Sequence, residues 1–405
     1  METVRKTIEE LEGKYGLPLY VFDENGFTEN YRKLNAAMSS LYENYRVAYS
    51  FKTNYTPYIC LTAGRLGAYA EVVSGMEYML ARRLGFGDSR IIFNGPDKGP
   101  EGIEAFQRGS MVNADNLDEL ALYRKAAGEN LDKEYRIGLR VNLDIGQGFV
   151  SRFGMDEQDL ETAFREVSEI PNLKIAGLHC HISRCRGLEA WRKRTEYMLS
   201  LCDRFFDEPP EYIDLGSGMF GSMAPELASQ FDRIPSYEEY AGVTAGLTAK
   251  HYTGRKRPRL ITEPGTTLVN RFVECIARVE HIKTINGHPF AVLNASIHNL
   301  GETCVLKRLP VRVIPGGREQ KAYESIDLTG YTCLEQDVLL PSYRGKLAAG
   351  DYVIFENTGG YSTVLKPPFI RPDCAMAART LNGSYKLIKS AQTYDDIFKV
   401  YLFEE

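Results

Sequence analysis

Eight short apolar runs recur between residues 46 and 264: RVAYSF (46–51), GAYAEVV (67–73), RIIFN (90–94), SMVNAD (110–115), RIGLRVN (136–142), KIAGLHCH (174–181), EYIDLG (211–216) and RLITEP (259–264). Each has the length and the bounding residues of a strand. Between them lie segments with helical spacing, such as GMEYMLARRLG, NLDELALYRKAAGEN, DEQDLETAFREVSEI and LEAWRKRTEYMLSLCDRFF. Several of these are opened by Asp, Asn or Ser in capping position. Strand and helix in strict alternation predict an α/β fold with a parallel sheet, and eight such units match a (β/α)8 barrel of TIM type.

After residue 267 the texture changes. The runs HPFAVLN, LPVRVI, YESIDLTGYT and DYVIFENT are β-rich, separated by Gly, Pro and Asn, and show little helical period. They predict a C-terminal all-β domain. The expected division is a barrel over 26–266 and a β domain over 267–405, joined by a strand, LPLYVFD, from within residues 1–25. The 405 residues, 43% of them apolar, suffice for both cores. A formal net charge of −5 gives no broad attraction to nucleic acid or to anionic lipid. The charged opening METVRKTIEELEGKYG lacks the pattern of a signal peptide, and no stretch approaches the roughly 18 apolar residues of a membrane span. A cytoplasmic enzyme with eight free cysteines is expected.

Barrels of this kind carry their chemistry at the C-terminal ends of the strands. There the chain places Lys52, Glu71, Asn94, Arg140 with Asn142, His179 with His181, Gly216 and Gly218, and Glu263. Lys52 lies in YSFKTN, an apolar strand-like run in which a buried ammonium is costly unless something uses it. The Gly-containing turns GSGMFG and EPGTT stand after the seventh and eighth strands, where such barrels bind phosphate. A lysine, a phosphate cradle and an acid at one rim suggest pyridoxal 5'-phosphate: the amine would condense with the aldehyde, and the acid would keep the ring nitrogen protonated.

The segments YSFKTN, GLHCHIS, IDLGSGMFG, EPGTTLV, GYTCLEQD and FENTGGYS fall in the order and spacing of the fold type III pyridoxal-phosphate decarboxylases. The chain resembles that family, the group of diaminopimelate and ornithine decarboxylases with an alanine racemase-like barrel, over nearly its whole length. The resemblance implies that Lys52 carries the cofactor, that His181 stacks on its ring and that Glu263 bonds the ring nitrogen. It implies further cofactor contacts at Glu71, Gly216, Gly218, Gly265, Thr266 and Tyr361. Cys333, Asp337, Glu335 and Tyr361 would meet the substrate, and Cys333 would donate the proton that replaces carbon dioxide. Cys333 and Asp337 would come from a second subunit, making the partners a homodimer with shared sites and a small amino-acid substrate.

Each residue has a plainer reading. Lys52 alone could be a lysine snorkelling from a strand end. The G-x-G-x-x-G at 216–221 also fits a dinucleotide fingerprint, but it opens a seventh barrel unit and not a first βαβ unit. HCHISRC could hold a metal, but no second pair of ligands follows nearby, and none is expected. Departures from the family pattern concern the substrate. Thr266 stands where diaminopimelate decarboxylases have Arg after EPG, Leu334 where the family has an acid after the motif cysteine, and Ser183-Arg184 where it has Gly-Ser; NASIHN (294–299) and LGETCV also differ from the family. Ligands for the far end of a diamino acid are thus altered. The expected activity is decarboxylation of an atypical or modified amino acid, with meso-diaminopimelate decarboxylation to lysine, racemisation and a non-catalytic binding role as alternatives. Racemases on this barrel place arginine at the ring nitrogen, which weakens the electron sink, whereas this chain offers Glu263.

Overall fold

The computed structural model describes residues 2–146, 148–366 and 368–403. In chain order it begins with α1 (Glu2–Tyr15), β1 (Leu19–Asp23) and α2 (Glu24–Leu41). The barrel strands follow: β2 (Tyr45–Ser50), β3 (Tyr69–Val72), β4 (Ile91–Phe93), β5 (Met111–Ala114), β6 (Tyr135–Arg140), β7 (Leu173–His179), β8 (Tyr212–Asp214) and β9 (Arg259–Thr262). All pair in parallel with their neighbours, and β2 closes the ring on β9 with Tyr45 opposite Leu260. Between them run α3 (Pro57–Arg65), α4 (Gly75–Arg83), α5 (Gly99–Arg108), α6 (Leu117–Gly128), α7 (Glu157–Ser168) and α8 (Leu188–Phe205).

The helices start at polar caps. Ser74, Asn116 and Asp156 accept the backbone N–H of Glu77, Glu119 and Asp159, so α4, α6 and α7 each lose one orphan donor. The strands are buried almost throughout, as a sheet covered by helices requires.

The barrel interior is shaped by a tyrosine that needs space. Tyr212 of β8 packs in a cluster with Ala48, Ile92, Ala176 and Ile261. A Cβ on Gly138 would lie 1.9 Å from its hydroxyl and 2.0 Å from Asn113 Oδ1, and one on Gly177 would lie 2.4 Å from its backbone carbonyl. The β6–β7 register shifts between Ile137 and Gly138. Two glycines inside strands therefore admit one large ring with a polar tip.

By contacts the chain divides into two compact units: residues 28–220 with 233–267, and residues 1–27 with 221–232 and 268–405. The second unit is built on a mixed sheet. It comprises β1 together with β10 (Val273–Ile285), β11 (His288–Leu293), β12 (Val311–Ile314), β13 (Lys321–Thr329), β14 (Val338–Leu347), β15 (Tyr352–Phe355), β16 (Ala375–Arg379) and β17 (Tyr385–Lys389). Strand β1 runs antiparallel to β10 and parallel to β16. Helix α1 lays Ile8 against Ile276, Ile314, Tyr352 and Ile354, so its apolar stripe is covered by the sheet. Short helical turns at Ile297–Asn299, Thr303–Leu306 and Tyr394–Phe398 punctuate this unit.

The tight packing around Tyr212 yields an expected outcome. Gly138→Ala should lower the unfolding free energy in urea by about 1–3 kcal/mol through overpacking. Adding Tyr212→Phe, which removes the atom met first, should return part of that loss; a Gly138→Ala protein as stable as the parent would contradict the packing described.

Candidate active site

Lys52 lies in the single turn Phe51–Thr53 that follows β2, so YSFKTN is a strand only as far as Ser50. The lysine is not deeply buried, its side chain being 29% exposed, because the barrel opens at this end. Its Nζ sits 2.5 Å from Glu71 Oε2, an oxygen that also accepts the Ser50 hydroxyl. Glu71, on β3, is 1% exposed. An ion pair with one half-exposed and one buried member fixes the lysine and compensates the acid.

Glu71 is the first link of a chain of hydrogen bonds across the barrel. Asn94 Nδ2, just past β4, donates to Glu71 Oε1 at 3.3 Å and to Glu263 Oε1 at 2.5 Å. Asn94 Oδ1 accepts from Asn113 Nδ2 at 2.8 Å, and Asn113 Oδ1 accepts from the Tyr212 hydroxyl at 2.7 Å. Every donor points toward the two acids. Glu263, the residue after β9, also meets His179 Nε2 at 3.3 Å through Oε2. Burial alone would raise the Glu263 carboxyl, but His179, Lys52 and His181 outweigh it and hold this acid well below the usual carboxylate range. It therefore presents a negative charge inside the barrel.

His181 is two residues past β7. Its Nδ1 accepts the backbone N–H of Ser217 at 3.2 Å, and its Nε2 is 3.5 Å from the Ser183 hydroxyl. Loss of water contact, with the nearby Lys52 charge second, keeps its pKa well below the ordinary histidine value, so the ring is neutral.

The two glycine turns are tied to each other. Glu263 N–H donates to Gly216 O, and the Thr267 hydroxyl donates to Met219 O. Gly216 and Gly218 have φ of +66° and +107°. A Cβ on Gly216 would lie 2.2 Å from Cys180 O, and one on Gly265 would lie 1.9 Å from Thr53 Oγ1, so neither position admits a side chain. Arg194 of α8, fully buried, donates to the carbonyls of Leu215, Ser217 and Ile182 and stacks on Trp191, whose indole N–H donates to Gly218 O. Thr266 opens the short turn Thr266–Val269 beside Gly265. Next to His181 a cavity of about 260 Å³ is lined by Val141, Leu143, Phe149, Val150 and Phe153.

The geometry thus brings together Lys52, Glu71, His181, Gly216, Gly218, Glu263, Gly265 and Thr266 in one unit. The amine held by an acid, the persistent carboxylate and the Cβ-free turns fit pyridoxal phosphate: Lys52 for the aldehyde, Glu263 for the ring nitrogen and the glycine turns for the phosphate. Asn113, Asp214, Tyr212 and Arg194 also shape the site and were not singled out from sequence. The only signal for the first three was their place in strands with inward neighbours, and for Arg194 there was none beyond an arginine within an apolar helical stripe.

The remaining candidates lie in the other unit. Cys333 and Glu335 are exposed on the loop between β13 and β14. Asp337 is buried, with Oδ1 accepting Ile297 N–H and Oδ2 accepting both the N–H and the hydroxyl of Thr332, so its carboxylate shapes this loop. Tyr361 is partly exposed and has a φ of +61°. Among the described residues no helix is long and apolar enough to cross a membrane.

Comparison with known proteins bears on the same residues. The model of the pyridoxal-dependent decarboxylase pyridoxal-binding domain matches residues 28–270. A diaminopimelate decarboxylase of Aquifex aeolicus is 26% identical over 96% of this chain and 93% of its own length. An L-glutamyl-[BtrI acyl-carrier protein] decarboxylase of Niallia circulans is also 26% identical, over 98% and 96%. Among solved structures, diaminopimelate decarboxylase from M. jannaschii superposes with a TM-score of 0.86 at 23% identity, covering 98% of this chain and 94% of that one. AQ1208 from Aquifex aeolicus gives 0.80 at 27% identity, over 97% and 93%. With the family model spanning more than half of the sequence and overlying the lysine, the acids and the glycine turns, the chain belongs to the pyridoxal-dependent decarboxylases and is a carboxy-lyase that uses pyridoxal phosphate.

Proposed function

We propose that this enzyme removes the α-carboxylate of a diaminopimelate-type amino acid, with Lys52 as the cofactor-bearing residue and Glu263 as the partner of the ring nitrogen. The observation that carries the reading is the path from Lys52 through Glu71 and Asn94 to a Glu263 that remains charged although buried. Pyridoxal phosphate, when bound, supplies the electron sink into which the carbon–carboxylate bond breaks. The chain's own groups set up that event. Glu71 holds the lysine amine in place, and Glu263 supplies the anion that keeps a proton on the ring nitrogen. The neutral His181 ring, oriented by Ser217 N–H, offers a flat face without a competing charge. The glycine turns, braced by Arg194, would hold the phosphate.

An anion at the ring nitrogen favours decarboxylation over racemisation, because a protonated ring accepts the electrons of the broken bond fully. The retained lysine, histidine and acid argue against a purely binding role. Diaminopimelate is supported by the names of several relatives at 25–26% identity. In the same proposal the working unit is a cytoplasmic homodimer in which Cys333 of one subunit reprotonates the α-carbon at the other's barrel.

A second reading rests on a specific feature. Arg184 takes a φ of +69° at the point after the HI of the motif where the family has serine, a backbone conformation that costs an arginine of order 1 kcal/mol. With Thr266 and Leu334 also departing from the family, this supports a substrate whose far end differs from that of diaminopimelate. The equal identity to a decarboxylase acting on a carrier-bound glutamyl group supports the same reading.

Two outcomes are expected. Lys52→Ala should fold but lose the visible absorbance of bound pyridoxal phosphate and the borohydride-fixed adduct, while Glu263→Gln should keep the cofactor and lose about 10²–10³-fold in kcat; undiminished turnover in Glu263→Gln would remove the proposed role of that acid. Purified enzyme given meso-diaminopimelate should form lysine and carbon dioxide. If diaminopimelate is unchanged while another amino acid in a mixed pool yields its amine, the second reading takes its place.

A further inference from the structure

We propose that Asp214 is a positioning residue that stays protonated at neutral pH and, as a neutral acid, donates its proton toward Glu263, so that the pair carries one negative charge and Glu263 holds it. The proposal rests on the assignment of Glu263 to the ring nitrogen and adds the group that keeps that anion single and in place.

Asp214 ends β8 and is fully buried. Its Oδ1 accepts the backbone N–H of Gly216 at 2.9 Å. Among the described residues its Oδ2 has no N–H or O–H donor, yet ligand-type atoms of Asp214, Glu263 and His179 all lie within 4.8 Å of one another. Two carboxyl groups facing each other in a dry interior repel unless a proton lies between them. That proton has one favourable home. Glu263 already accepts from Asn94 Nδ2 and meets His179 Nε2, whereas Asp214 has a single amide donor, so the anion is better stabilised on Glu263.

The cations nearby are committed elsewhere. Lys52 is paired with Glu71, Arg140 with Asp115, and Arg194 is turned to three backbone carbonyls. The charged and titratable groups that face Asp214 are Glu263 after β9, His179 on β7, Glu71 on β3, Cys180 after β7, Tyr212 on its own strand and Tyr45 on β2. Burial first, then the Glu263 charge, pushes the Asp214 carboxyl well above the usual range, in the direction the geometry requires. Because Gly216 N–H binds the same carboxyl and Gly216 O accepts Glu263 N–H, Asp214 also joins the glycine turn to the acid at the ring nitrogen. One neutral side chain thereby sets both the charge on Glu263, which would meet the ring nitrogen, and the position of that acid relative to the glycine turn that would hold the phosphate.

The test is an infrared difference spectrum between wild-type and Asp214→Asn holoenzyme at pH 7, with the visible absorbance of the bound cofactor followed against pH. Asparagine keeps both the acceptor for Gly216 and a donor toward Glu263. The wild type should show a protonated-carboxyl band that Asp214→Asn lacks, and the variant should keep the cofactor's pH profile and bind pyridoxal phosphate within about threefold of wild type. Asp214→Ala, which loses the donor, should bind it about tenfold more weakly. Absence of a lost carboxyl band, or a pH profile displaced in Asp214→Asn, would overturn the proposal. Should Asp214→Asn fail to fold, Glu263→Gln in the wild-type background must move the Asp214 band, because its acceptor changes from carboxylate to amide, and an unmoved band counts against it. Failure of the Glu263 assignment would look different: the cofactor's pH profile would be unchanged in Glu263→Gln while the Asp214 band still moved.

Discussion

A carboxylate kept charged in the middle of a barrel is the constraint around which this protein is arranged. Glu263 is almost wholly removed from water, and desolvation of such a group costs several kcal/mol unless donors and cations replace the lost hydration. Here Asn94, His179 and the field of Lys52 supply the replacement. The donors do not act alone, because Asn94 is itself oriented by Asn113, and Asn113 by the hydroxyl of Tyr212. A chain of donors aimed one way makes the acid end an obligate acceptor, which is the electrostatic condition a protonated cofactor ring needs.

That chain has a steric requirement far from the chemistry. Tyr212 reaches Asn113 only because Gly138 and Gly177 leave the opposing strands bare. Glycine in a strand interior costs backbone entropy and packing, and the barrel recovers this by filling the vacated volume with an aromatic ring whose polar tip is satisfied. At the rim the same economy applies. Glycines at 216 and 218 bring backbone close to backbone, Gly265 makes room for the Thr53 side chain, and the buried Arg194 ties carbonyls of the first turn together instead of forming an ion pair among the described residues. The site is thus a rigid cradle with its charge fixed before any ligand arrives.

Much of this was legible from residue order. The alternation of strand and helix indicated the barrel, and the rule that chemistry sits at strand ends picked out Lys52, Glu71, Asn94, His179, His181 and Glu263, all of which the fold gathers. Lys52 follows the first barrel strand, as the end of the run RVAYSF indicates, but the expectation of a buried ammonium did not survive. Its turn begins one residue after Ser50, and its partial exposure follows from the barrel mouth, which a local pattern of apolar residues does not display. Asp214 and Arg194 escaped notice for a related reason. One resembles any strand-end acid and the other any helical arginine, and only their burial and partners set them apart.

What the linear sequence by itself determined is periodicity and local chemistry: eight strand-helix units, polar caps, glycine turns and the residue types at strand ends, because each depends on neighbours within a few positions. What only the tertiary structure decided is which groups share a charge. Glu71 and Glu263 are 192 positions apart yet receive hydrogen bonds from one amide of Asn94. The protonation of each buried acid then follows from donors contributed by separate strands, and Coulomb interactions in a dry interior depend on distance through space rather than on separation along the chain.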